Sequence, residues 1–378
     1  MATIEHPRVK DAKRVVIKIG STLLVDQVTG DLHMQWLRSL GDEIADMRSH
    51  GKDVVIVTSG AVAIGRTILN LKNRSLKLEE KQAAAAAGQL RLIESYQTAL
   101  ETHGLTVAQI LLTAEDTEDR RRYINARVTL DTLLRLGSVP VINENDTVAT
   151  QEIRFGDNDQ LASRVSAMIG ADICILLSDV DGLYTDDPAI KVDAEHIPFI
   201  YEMSEKIRAM GGAANQSHTY STGGMATKLI AAETCMNAGC HMIIAYGKSH
   251  SPISTLEKGA RCSWFISKAE PVAARKNWIS GTLNPNGTIV IDIGAEKALH
   301  NGKSLLPAGI TNVTGIFERG DAVVIINSDG RAIGKGLSAL KASDIKQVMG
   351  KRSSTMEGVL GYTGRAEIIH RDDLVLNS

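Results

Sequence analysis

The chain has 378 residues, 43% hydrophobic and 23% charged, which is the composition of a folded protein with room for roughly two or three domains. A formal net charge of −2 excludes a global basic field that would make nucleic acid or membrane the main partner. Its four cysteines, Cys174, Cys235, Cys240 and Cys262, form no C-x-x-C pair, which argues for isolated buried thiols and against a zinc site. Met1 to Arg14 is polar and lacks the apolar core of a secretory signal, and no run approaches the ~18 apolar residues of a membrane span. The expected location is the cytoplasm.

Val15 to Ile19 (V-V-I-K-I) reads as a first strand closed by Gly20-Ser21-Thr22. Lys18 inside so apolar a run is either an edge-strand ammonium reaching water or a phosphate-facing charge, with Gly20 letting backbone amides approach the same anion. Leu32 to His50 has helical spacing and stops at Gly51. Val54 to Val57 is a buried strand running into Thr58-Ser59-Gly60-Ala61. Ser59 and Gly60 offer a hydroxyl and amides to a ligand, or form a plain turn into the next helix. Gly60-x4-Gly65-Arg66-Thr67 approximates a P-loop, but arginine stands where that loop needs lysine.

Lys81 to Leu100 is an alanine-rich helix, Val107 to Leu112 a strand, and Thr117 to Leu136 a helix whose Asp119-Arg120-Arg121-Arg122 run reads as a solvated face. Val139 to Ile142 then delivers Asn143, Glu144, Asn145 and Asp146, and Gly156 leads into Asp157-Asn158-Asp159. So many polar groups at a strand's carboxyl end suit a charged, zwitterionic ligand. A helix from Gln160 to Ile169 places the second cluster near its N-terminus. Capping explains one acid there but not three consecutive polar residues.

Ile173 to Leu177 is a continuous buried strand followed by Ser178-Asp179. Met225 to Asn237 is a helix carrying Lys228 one turn inside, and Met242 to Ala245 is a strand. These β-α units predict an α/β fold, a mostly parallel open sheet with helices on both faces, whose strand order pattern alone does not fix. From Gly287 short β-runs replace long helices: Thr288 to Ile293, Ala322 to Ile326, Ala332 to Gly334 and Glu367 to His370. The expected layout is a catalytic domain over 1–265, a linker over 266–286 and a small β-rich domain over 287–378.

Lys18 and Lys228 sit beside glycines at the edges of β-α units, and no complete P-loop or dinucleotide fingerprint is present. Two ammonium groups, a helix N-terminus at Gly223-Gly224 and amides at Gly20 could meet the charge of a transferring phosphoryl group. A carboxylate between the lysines would hold them apart and keep both charged, and Asp159 is the candidate. No serine–histidine–acid constellation stands out, so hydrolase chemistry ranks low.

V-V-I-K-I-G-S at 15–21, V-T-S-G-A at 57–61, V-I-N-E-N-D at 141–146, G-D-N-D at 156–159 and T-G-G-M-A-T-K at 222–228 together resemble the amino-acid kinase family. The likeness includes a C-terminal PUA domain and spans nearly the whole chain. It implies the amino-acid kinase fold and transfer of the γ-phosphoryl of ATP to the side-chain carboxylate of L-glutamate, the first step of proline biosynthesis. Lys18, Lys228 and Asp159 then match the catalytic positions. Ser59, Gly60, Asp146 and Asn158 match the substrate site, with Asp146 suited to the α-ammonium. Lys18, Ser178, Asp179, Thr222, Gly223, Gly224, Met225, Ala226, Thr227 and Lys228 match the ATP-binding segments.

Mg²⁺ would come with ATP, held by phosphate oxygens and water, so no protein metal ligands are assigned. The resemblance further implies feedback inhibition by proline and a homo-oligomer, dimer or tetramer. The alternatives are a related kinase acting on N-acetylglutamate or aspartate, an RNA-binding PUA protein, and an amino-acid sensor without catalysis. RNA is the weaker partner, because Lys335, Lys341, Lys346, Lys351 and Arg352 are scattered among acids.

Overall fold

A computed structural model describes residues 7–26, 29–71, 74–148, 158–212, 224–271, 273–274, 285–362 and 365–377. The chain divides into two units, Met1–Pro271 and Val272–Ser378.

In the first unit the strands are β1 (Arg14–Ile19), β2 (Asp53–Val57), β3 (Val107–Leu112), β4 (Val139–Glu144), β5 (Ile173–Ser178), β6 (Leu183–Tyr184), β7 (His196–Ile197), β8 (Phe199–Ile200), β9 (His241–Tyr246) and β10 (Cys262–Phe265). Eight of them form one sheet in the order β3-β4-β2-β1-β5-β9-β10-β8, and β6 pairs with β7 in a separate hairpin. All neighbours in the large sheet run parallel except β9 and β10. The chain builds outward from β1 to one side through β2, then returns to its other side with β5. That reversal is the switch point where open α/β sheets leave a crevice beyond the strand ends.

The helices are α1 (Ser21–Leu24), α2 (Met34–Ser49), α3 (Ala61–Ile68), α4 (Leu78–Leu100), α5 (Ala114–Glu118), α6 (Arg120–Arg135), α7 (Asn158–Ile169), α8 (Glu205–Ala209), α9 (Met225–Asn237) and α10 (Pro252–Glu257). Strand alternation sorts them into two layers. Val15, Ile17 and Ile19 point with Val54 and Ile56 into a core shared with α2, α4 and α10. Val16, Val55 and Val57 point the other way, against α6, α7 and α9. Cys174, Cys235 and Cys240 are free thiols buried in this second core. Burial pushes the Cys240 thiol up.

Two elements depart from the sequence pattern. The single helix expected over Thr117 to Leu136 is two, because Asp119 leaves the helical region and caps α6, its carboxylate accepting from Arg122 N at 2.9 Å. The near-P-loop is a packing site. A Cβ on Gly65 would lie 1.7 Å from the Ala84 carbonyl oxygen, and one on Gly88 1.9 Å from that of Ala61. The backbones of α3 and α4 therefore touch with no room for a methyl. We expect Gly88→Ala to destabilise the protein by about 1–3 kcal/mol in denaturant titrations, despite the ~1 kcal/mol that alanine gains over glycine in helix propensity. Unchanged stability would show that the helices can part freely.

The second unit holds β11 (Gly287–Ile291), β12 (Ile310–Gly315), β13 (Ala322–Ile326), β14 (Ala332–Leu337) and β15 (Leu374–Leu376), in the order β12-β11-β13-β14-β15. Helices α11 (Ile293–His300), α12 (Ala342–Val348) and α13 (Met356–Leu360) accompany the sheet. Ile289, Ile291, Val313, Ile325, Ile345 and Ile368 meet in their own core. The strand expected to run to Ile293 stops two residues short, because Asp292 accepts from Ala295 N at 2.7 Å and starts a helix. Glu367 to His370 contributes a single bridge, Ile369 to Leu305, in place of the expected strand.

Candidate active site

The carboxyl ends of β1, β2, β4, β5 and β9 open into one groove of about 1700 Å³. A single small-ligand pocket runs to roughly 1,000 Å³, so this groove has room for two substrates.

Its charged wall comes from three elements. Period-2 alternation puts Lys18 on the face of β1 shared with Val16, toward α7 and α9. β1 pairs with β2 on one side and β5 on the other, so Lys18 is not an edge-strand lysine reaching water. Asp159 lies in the first turn of α7 and is fully buried. Lys228 stands one turn inside α9, after the extended Gly224 that starts the helix. Lys18 Nζ lies 2.6 Å from Asp159 Oδ1, and Lys228 Nζ donates to Oδ2 at 2.7 Å. Each lysine is only 7% exposed. One carboxylate thus holds two ammonium groups apart, and the triad keeps an excess positive charge facing the groove. A buried ion cluster is weak support for stability alone. An anion in the groove is its natural complement.

Beside it lies a carboxamide network. Asn158 Nδ2 donates to Asn143 Oδ1 at 3.0 Å and to the Thr58 carbonyl. Asn143 Nδ2 donates to Gln89 Oε1 at 2.8 Å, and Thr58 Oγ1 meets the Tyr96 hydroxyl at 2.8 Å. Burial pushes the Tyr96 phenol up, so it stays protonated. Ser59 Oγ donates to the Ile19 carbonyl at 2.9 Å, tying the end of β2 to that of β1. Gly60 turns the chain into α3 at φ 100°, a left-handed conformation that a side chain resists. Ser59, Gly60, Asn143, Asp146 and Asn158 all line the groove.

At the other end Ser178 Oγ donates to Asp179 Oδ1 at 3.0 Å, and both residues line the groove with Gly224, Met225 and Lys228. Ala226 and Thr227 of the expected nucleotide segment are placed differently. Ala226 packs against the backbone of Gly211, and the Thr227 hydroxyl returns to the Gly224 carbonyl at 2.8 Å. Thr222, Gly223 and Asp157 lie outside the described residues.

Sequence reasoning missed Gln89 and Tyr96. Their signal was present: Ala85, Gln89, Leu92 and Tyr96 share one helical stripe, and a glutamine on an apolar stripe needs a polar partner. It also missed the groove's rim, where Tyr184 donates to Asp181 Oδ1 at 2.8 Å and accepts from Arg261 Nη1 at 3.2 Å. The two-residue strands that position Tyr184 are too short to carry a periodic signal.

Residues 13–246 match the family model described as "Amino acid kinase family", and residues 287–360 match that of the PUA domain. Glutamate 5-kinase of Paramagnetospirillum magneticum is 54% identical over 97% of this chain and 98% of that protein. Glutamate 5-kinase 1 of Rhizobium meliloti is 53% identical over 97% of this chain and 92% of that protein. Among solved structures, UMP kinase from Ureaplasma parvum is similar at a TM-score of 0.47 and 16% identity, covering 68% of this chain and 99% of that one.

Proposed function

Because this chain belongs to the amino acid kinase family and carries a PUA domain, we propose that it transfers the γ-phosphoryl of ATP to the γ-carboxylate of L-glutamate, forming L-glutamate 5-phosphate. The observation that carries this reading is the Lys18–Asp159–Lys228 triad opening into the same groove as Asp146 and Asn158.

The chemistry fits the residues. A glutamate side chain with an ordinary pKa of about 4.3 is already ionised near neutrality, so the nucleophile needs no general base. One γ-carboxylate oxygen bonds to the γ-phosphorus while the bond from that phosphorus to the β–γ bridging oxygen breaks, and ADP leaves with the electron pair. The charge on the transferring group is met by Lys18 and Lys228, and Asp159 orients both. Asp146 takes the α-ammonium, and Asn158 offers it a carbonyl oxygen. Ser178, Asp179 and the first turn of α9 face the nucleotide. Mg²⁺ would be held by phosphate oxygens and water. Asp179 and Asp181, hard oxygen donors lining the groove, suit its approach, where it would offset charge on the β- and γ-phosphates.

The wider reading assigns catalysis to 1–265 and the PUA domain to 287–378. The reaction is the first step of proline biosynthesis, in a cytoplasmic homo-oligomer that proline inhibits at or over the glutamate site. Among the described residues no helix is long and apolar enough to cross a membrane.

Acyl-phosphate formation, trapped as the hydroxamate, tests the substrate. Glutamate is expected to exceed aspartate and N-acetylglutamate in kcat/KM. Preference for either of the latter would overturn the substrate while leaving the family in place.

A further inference from the structure

Asn158 is the neutral residue that the reading above sets against the α-ammonium, and only one end of its carboxamide suits a cation. The hydrogen bonds behind it decide which end is offered. The Thr58 carbonyl can only accept, so the end of Asn158 that meets it is Nδ2. The same nitrogen donates to Asn143 Oδ1 at 3.0 Å. Asn143 therefore turns its own Nδ2 away, where Gln89 Oε1 accepts it at 2.8 Å. Each amide fixes the direction of the next, and the Asn158 oxygen is the end left for the groove which that residue lines.

The relay ends on Gln89, which stands behind Asn143 and, among the described residues, does not line the groove. Backbone contact sets its place. Gly88, the residue before it, lies so close to the start of α3 that a Cβ there would fall 1.9 Å from the Ala61 carbonyl oxygen. Tyr96, two turns further along α4 on the same stripe, meets the Thr58 hydroxyl at 2.8 Å. One helix thus braces both ends of the relay, Gln89 holding Asn143 at the end of β4 and Tyr96 holding Thr58 just past β2. Gln89 serves as an acceptor, and its Nε2 is buried with no partner among the described residues. Asn143 is 2% exposed, so without that acceptor its Nδ2 hydrogen would be stranded in the protein. Rotating the Asn143 amide in search of another partner would set its Nδ2 against that of Asn158, donor against donor.

We propose that Gln89 is a positioning residue for the amino-acid end of the groove: through Asn143 it keeps the carboxamide oxygen of Asn158, and not the nitrogen, toward the substrate ammonium. This rests on the amino-acid kinase reading of the groove. The phosphoryl end does not depend on the relay, because Lys18 and Lys228 hold Asp159 by themselves.

The test measures kcat and both KM values by hydroxamate formation in the wild-type chain, Gln89→Met and Gln89→Glu. Gln89→Met keeps the length and loses the oxygen. It is expected to raise the glutamate KM about tenfold, the scale of one net hydrogen bond, with kcat and the ATP KM within about twofold. Gln89→Glu keeps an oxygen where Asn143 donates, and all three constants should stay within about threefold of the wild type. A residue that only fills space would give the opposite order, since methionine fills it without burying a charge. An unchanged glutamate KM in Gln89→Met, a matching rise in the ATP KM, or a loss in Gln89→Glu as large as in Gln89→Met would each overturn the proposal. Gln89→Leu replaces Gln89→Met if that variant does not fold. A wild-type chain that forms no glutamyl hydroxamate would overturn the substrate reading and the proposal with it, and that control is read first.

Discussion

Lys228→Ala is expected to lower turnover by about 10²–10³-fold while the protein stays folded. In the proposed reaction its ammonium meets charge that grows on the phosphoryl group as the bond to ADP breaks, so the loss should fall on kcat more than on either KM. Steady-state rates with both substrates saturating measure it. The geometry gives a second reason for a large effect. Lys18 and Lys228 hold opposite oxygens of one carboxylate, at 2.6 and 2.7 Å. Removing one frees Asp159 to turn toward the other, so the remaining lysine is drawn away from the substrate. A near-wild-type rate would take Lys228 out of the site.

The second large effect concerns stability. Asp159→Ala leaves two ammonium groups, each 7% exposed, facing one another without their shared counter-charge. Breaking a buried pair by removing one partner costs about 3–5 kcal/mol, and here one deletion strands two cations. Denaturant unfolding should show a loss of that size, relieved in part by the double change Asp159→Ala with Lys18→Met, which removes one stranded charge. A single variant as stable as the wild type would mean that water reaches both lysines freely. The pairing then would not be the reason these charges tolerate burial.

Much of this arrangement could be read from the chain. The V-V-I-K-I run gave a strand and, through its period, the face on which Lys18 stands. Its central place in the sheet required the strand order, which depends on pairings between segments far apart. Asp159 was separable from a capping acid only because three consecutive polar residues exceed what a helix start needs. Gln89 escaped because the alanine-rich stretch before it reads as packing, and its amide partner Asn143 lies on a distant strand, β4. In the second unit Ile310–Gly315 alternates buried and exposed residues irregularly, so a polar strand passed for a loop. The helices at 342–348 and 356–360 run to seven and five residues, too few turns for a helical period to declare itself.

The shared aspartate also has a kinetic side. Its two partners come from the first strand and from a helix 69 residues downstream of Asp159. Neither contact can be assembled from neighbouring sequence, and contacts of that kind close after local ones during folding. On refolding from denaturant, helical signal should therefore return before phosphoryl transfer does. The enzyme's activity would then report that β1, α7 and α9 have met, and not merely that each has formed.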